Sequence, residues 1–94
     1  MRELGKIFKE LWDSGVRIIV GTDTGSTHNL PTEAMWTELE LMVNYGVDPM
    51  DVIVAATRRN AEWLNELNEV GTLTPGKLAD IIVVDGNPLK SISS

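Results

Sequence analysis

Apolar side chains recur along the first fourteen residues at the spacing of one helix face. Leu4, Ile7, Phe8 and Leu11 fall at i, i+3, i+4 and i+7, with Trp12 beside them. Gly15 follows as a stop, because glycine accepts the left-handed backbone that ends a helix, and the pattern predicts a helix over residues 2–14. The period then changes. Val16-Arg17-Ile18-Ile19-Val20 is almost wholly apolar and β-branched and closes at Gly21, the pattern of a strand buried on both faces as in a parallel sheet. From Thr22 to Thr32 the chain turns polar and turn-forming, a longer stretch than the roughly 2–6 residues of most strand-to-helix connections, and such long loops are often functional. Thr32 stands where it could cap a helix with the stripe Met35, Leu39, Met42 and Val43, and Gly46 supplies its stop. Asp48-Pro49 reads as an N-cap followed by proline in the first turn, with Asp51 at the positive end of the helix dipole, and predicts a helix over 49–57. A further helix over 58–67 carries Ala61, Trp63, Leu64 and Leu67, with Thr57 as cap at the junction. The turn-rich run Gly71 to Gly76 leads to Ala79–Val84, a second buried strand closed by Asp85-Gly86-Asn87-Pro88, and the tail from Ser91 is expected to fray.

Helices and strands in this order give an α/β class. Two strands cannot cover four amphipathic helices, since layered α/β domains are usually built on about 4–6 strands. The 94 residues are therefore expected to form part of something larger. At 43% hydrophobic content the composition is that of a folded chain rather than a disordered one. A net charge of −6, with no basic cluster beyond Arg58-Arg59, argues against a nucleic-acid partner. Without cysteine there is neither a disulfide framework nor a thiolate metal site. No apolar run is long enough to span a bilayer, and no leader pattern opens the chain, so a cytoplasmic protein without a membrane partner is expected.

Asp23 is the sharpest chemical candidate, two residues beyond the glycine that ends the first strand. In α/β barrels and open sheets reactive groups gather at the carboxyl ends of the strands. A carboxylate there can hold a cation or act as a base. The alternative is ordinary turn chemistry, because Asp followed by Thr and Gly is a common turn sequence. His28, the one histidine, lies in the same loop and suggests a metal ligand, against the plainer reading of an exposed loop residue. Thr24, Ser26 and Thr27 could meet a substrate's polar groups. Trp12, Trp36 and Trp63 are best accounted for as core, and Arg58-Arg59 as the solvated side of a helix start. Asp23-Thr24-Gly25 is also the active-site triplet of aspartic proteases, whose retroviral members are short chains that pair to place two aspartates together. Those proteins are almost wholly β and carry a glycine-rich flap, whereas residues 33–67 here read as helical.

The ordered pieces resemble a known family: Gly15 to Gly25, Glu38-Leu39-Glu40-Leu41-Met42, Gly46-Val47-Asp48-Pro49-Met50, Ala55-Ala56-Thr57, Asn60-Ala61, Gly71-Thr72-Leu73, Gly76-Lys77-Leu78-Ala79-Asp80 and Val84-Asp85-Gly86-Asn87-Pro88-Leu89. Together they are similar to the C-terminal end of metal-dependent amidohydrolases of the imidazolonepropionase-like and Xaa-Pro-dipeptidase-like group. The resemblance implies a fragment of a (β/α)8 TIM-type barrel over residues 1–68, holding the last strand and its flanking helices, and over 69–94 a strand or two of a composite β-sandwich. It also implies Asp23 as metal ligand and catalytic base, substrate contacts from Thr24, Ser26 and His28, a divalent metal such as zinc in the full-length family, and a small-molecule amide substrate. The histidines and bridging lysine that complete such a metal centre have no counterparts in these 94 residues. The chain alone is accordingly expected to bind no metal and to be inactive, and a non-catalytic module that associates with copies of itself is the alternative. Two apolar strands with unpaired edges favour strand addition between chains. Light scattering at micromolar concentration should return a mass of at least two chains, and a mass of one chain would count against self-association.

Overall fold

The computed structural model describes residues 2–22 and 34–92. Helix α1 spans Arg2–Asp13, α2 spans Ala34–Asn44, and a long helix begins at Pro49. That helix is α-helical over Pro49–Val54 (α3), widens to a π-helical turn over Ala55–Arg59, and ends as a short α-helical piece over Asn60–Trp63 (α4). No ladder-forming strand occurs among the described residues.

The helix ends follow the punctuation in the sequence. Gly15 and Gly46 both adopt positive φ, 89° and 107°. At the end of α2 the Gly46 N–H donates to the Val43 carbonyl and the Val47 N–H to the Met42 carbonyl, a paired closure that satisfies two of the last carbonyls. Val47 and Met42 are both buried in the same core cluster, so the hydrogen-bonded stop also folds the chain back over apolar surface. The Asp48 side chain accepts from the Met50 N–H and begins α3 with Pro49 in its first turn.

Two boundaries differ from expectation. Thr57 caps nothing: its hydroxyl donates to the Ile53 carbonyl inside a helix that runs on through the expected junction. The end comes earlier than residue 67, because Asn65 takes the left-handed conformation at φ 58° and donates to the Glu62 carbonyl while Glu66 donates to that of Ala61. Asparagine tolerates this backbone almost as glycine does.

The core is small. Val20, Met42, Val47, Val52 and Ala55 are buried together, with Phe8, Trp12, Ile18, Leu39, Val43, Ala56 and Ile92 packed around them. The rings of Tyr45, Phe8 and Trp12 follow one another at centroid distances of 6.0 and 6.2 Å and join α1 to the end of α2. Gly5 permits this approach, since a Cβ there would overlap the Tyr45 ring. Ile92 corrects the expectation of a frayed tail. It returns to the core after a turn in which Asn87 accepts from the backbone of Leu89, Lys90 and Ser91.

Other apolar positions are uncovered. Leu4, Ile7 and Leu11 on α1 are exposed, and so are Trp36 and Trp63, the latter at 69%, which corrects their assignment to the core. Residues 16–20 and 79–84 form no ladder, and Val83 is 96% exposed, so neither segment is the buried strand that the pattern predicts. A strand satisfies its backbone only through neighbours, and the described residues supply none.

Val52 is fully buried at the centre of the cluster. Replacing it with alanine removes two buried methyl groups and leaves a cavity, with an expected cost of about 2 kcal/mol. Chemical denaturation should measure this, and a loss near zero would show that the cluster does not hold the fold.

Candidate functional site

The site predicted from sequence begins where the chain leaves residues 16–22. Asp23, Thr24, Ser26, Thr27 and His28 lie outside the described residues, as does the expected cap Thr32. What the structure shows is the platform that leads to them.

Val20 is buried, and both of its backbone polar groups meet a single side chain. Its N–H donates to Asn60 Oδ1 at 2.9 Å, and its carbonyl accepts from Asn60 Nδ2 at 3.0 Å. Nδ2 also donates to the Ala56 carbonyl at 3.1 Å. The orientation of the amide follows from chemistry, because the Val20 N–H can only donate and must therefore face the oxygen. At the other end of the same segment Arg17 pairs with Glu62 at 3.1 Å, and Glu62 also accepts from Arg58 Nε at 3.0 Å. Residue 60 thus stands opposite residue 20 and residue 62 opposite residue 17. The helix therefore runs antiparallel to the segment, as the helix of a strand-helix unit does.

Arg59 departs from the expected solvated role: it is half-buried, with its guanidinium 5.0 Å from the centroid of the Trp12 ring. Such a contact adds a modest attraction to the burial of both side chains. Arg59 and Trp12, with Gly15, Val16 and Arg17, line a small open depression at the beginning of the segment 16–22. A larger depression of about 550 Å³ lies between α1 and the end of α2, is lined by Lys6, Lys9 and Tyr45 among others, and shares no residue with the platform.

Among the described residues no group of three or more histidine, cysteine, aspartate or glutamate side chains could hold a metal ion. No helix of the described residues is long and apolar enough to cross a membrane. The helical content of 34–44 and 49–63 is unlike an aspartic protease.

Sequence alone does not mark Asn60 and Glu62 as working residues. A signal for Asn60 was present: it falls four residues after Ala56 on the stripe that contains Val52 and Ala55, and a polar side chain on a buried stripe is there to be hydrogen-bonded. Glu62 carried no comparable mark, because a glutamate near a helix end is ordinary.

The comparisons with known proteins agree with one another. The model of the amidohydrolase family matches residues 6–94. An imidazolonepropionase of Bdellovibrio bacteriovorus is 39% identical over 77 residues, covering 78% of this chain and 17% of that protein. A 5-methylthioadenosine/S-adenosylhomocysteine deaminase of Moorella thermoacetica is 36% identical over 84 residues, covering 82% and 20%. A crystal structure of a Xaa-Pro dipeptidase with methionine bound in its active site superposes with a TM-score of 0.85 at 36% identity, over 95% of this chain and 21% of that one. The chain thus spans about a fifth of the length of the relatives it matches.

Glu62 serves two exposed arginines, and exposed ion pairs contribute little. Glu62→Gln is expected to cost at most about 1 kcal/mol in thermal or chemical unfolding. A loss several times larger would make this pairing, rather than the Asn60 amide, the main fastener of residues 16–20.

Proposed function

The chain belongs to the amidohydrolase family, and from that we propose that it is the C-terminal part of a metal-dependent hydrolase that breaks an amide or cyclic amide C–N bond in a small molecule. The observation that carries this reading is the superposition on the Xaa-Pro dipeptidase, at 36% identity over 95% of the chain. The deaminases and imidazolonepropionase among its relatives support it, because these too are named for reactions of small nitrogen compounds.

In this proposal residues 1–68 contribute the last strand of a (β/α)8 barrel and its helices, and 69–94 contribute to a β-sandwich. The antiparallel run of the long helix along residues 17–20 supports the first assignment. The exposure of Ile81, Ile82 and Val83 supports the second, since a strand without its sheet is open on its faces. A divalent cation such as zinc, when bound, lowers the pKa of a water molecule towards neutrality and so supplies a nucleophile. The described residues do not make such a centre by themselves, and this chain's share of the chemistry is assigned to one carboxylate. Asp23 would hold the cation, accept the proton of the attacking water and return it to the departing nitrogen. Thr24, Ser26 and His28 would meet the substrate's polar groups. Exposed Leu73, Ile82 and Val83 also favour a second reading, in which copies of the chain associate through these surfaces.

A hybrid enzyme tests the assignment. With these residues in place of the matching segment of the Bdellovibrio bacteriovorus imidazolonepropionase, turnover of that enzyme's substrate should persist. Asp23→Asn should then lower kcat by roughly a hundredfold or more, the range expected for loss of a proton-transfer group. An Asp23→Asn hybrid as active as its parent would defeat the assignment.

A further inference from the structure

We propose that Asn60 is a positioning residue: its side-chain amide stands in for a neighbouring strand at Val20 and fixes the point from which the chain departs towards Asp23. This rests on the assignment of Asp23 to the site made above.

The first observation is the reciprocity of the two bonds. Val20 donates to Oδ1 at 2.9 Å and accepts from Nδ2 at 3.0 Å. An extended residue turns its N–H and C=O to the same edge, and in a sheet the adjacent strand would meet both. Here a planar primary amide, with one acceptor and one donor side by side, makes that rung alone. A second strand cannot pair with Val20 along the same edge while Asn60 occupies it. Strand pairing on that edge therefore ends at Val20, three residues before Asp23.

The second observation is how the amide itself is held. In regular α-helix the Asn60 N–H would donate to the Ala56 carbonyl. Instead it donates to the Thr57 carbonyl, and the Ala56 carbonyl accepts the remaining hydrogen of Nδ2. Both Nδ2 hydrogens are thereby committed, one to the helix and one to the segment. Asn60 follows directly on the π-helical turn over Ala55–Arg59, and single turns of that type are frequent at functional sites. The third observation is location. A general tie between helix and segment would serve anywhere along 16–20, and the exposed Arg17–Glu62 pair is such a tie. Asn60 instead grips Val20, the last buried residue of the described segment 16–22.

Amide hydrogen exchange and nitrogen-proton spectra of the full chain test the proposal, in the unchanged protein and in Asn60→Ala, Asn60→Asp and Val52→Ala. After correction for intrinsic rates, the Val20 amide of the unchanged chain should exchange about tenfold or more slowly than that of Gly21. Asn60→Ala should erase the difference and shift the signals of residues 21–23. Asn60→Asp, which keeps an acceptor but has no proton for the Val20 carbonyl, should shift the same signals. Val52→Ala should lower the unfolding temperature without moving them, which separates positioning from stability. Exchange of Val20 as fast as that of Gly21 in the unchanged chain would overturn the proposal. So would Asn60 variants that disturb residues 21–23 no more than Val52→Ala does. Failure of Asp23→Asn to lower turnover in the hybrid would sink the site assignment without altering the exchange result, and the reverse outcome would sink the role of Asn60 alone.

Discussion

Taking a backbone N–H and carbonyl out of water without a partner is costly, by about 1–3 kcal/mol for each group, and Val20 is buried with both. The described part of this molecule is organised around the solution to that problem. One side-chain amide satisfies both groups and ties the apolar segment 16–20 to the long helix. Without it Val20 would have to move out of the cluster it shares with Met42, Val47, Val52 and Ala55, and the cluster has few other members to compensate. The residue it holds lies three positions before Asp23, the carboxylate proposed for the site.

Around that contact the molecule shows two kinds of surface. Where α1 meets the end of α2, the succession of Tyr45, Phe8 and Trp12, extended by Arg59, is closely packed. On the opposite account, Leu4, Ile7, Leu11, Trp36, Trp63 and the run Ile81–Val83 lie exposed. The chain spans about a fifth of its relatives' length, and these apolar faces have no cover among the described residues. Among the described residues the buried core is accordingly small, although the sequence is 43% hydrophobic.

Much of the helical framework was legible from sequence, and the reason is local. Gly15, Gly46 and the Asp48-Pro49 pair act through their own backbone preferences or through a bond two residues away, so their effects need no tertiary context. Asn65 ends a helix by the same local mechanism, but asparagine does so less regularly than glycine, and the apolar spacing by itself carries the helix on to Leu67. The segments expected as strands form no ladder among the described residues, for the opposite reason. β-branched runs at 16–20 and 81–84 record a preference for neighbours on both sides, and ladders form only where those neighbours exist. Trp36 and Trp63 belong to the same class, apolar side chains whose partners are not among the described residues. The platform beneath the site was legible only in part: Asn60 could be seen as a polar residue on a buried stripe, whereas its partner, forty positions away, could not.

The widened turn at Ala55–Arg59 carries a consequence for what the sequence can tolerate. Each residue of an α-helix advances the winding by about 100°, so a turn that holds one more residue than usual resets the bearing of everything beyond it. Removing a single residue from this stretch would leave a helix of equal or better regularity, yet would swing Asn60 and Glu62 a quarter-turn or more away from Val20 and Arg17. The exposed side chains between Pro49 and Asn60 can therefore change with some freedom, whereas the buried Val52 and Ala55 and the number of residues between Pro49 and Asn60 cannot.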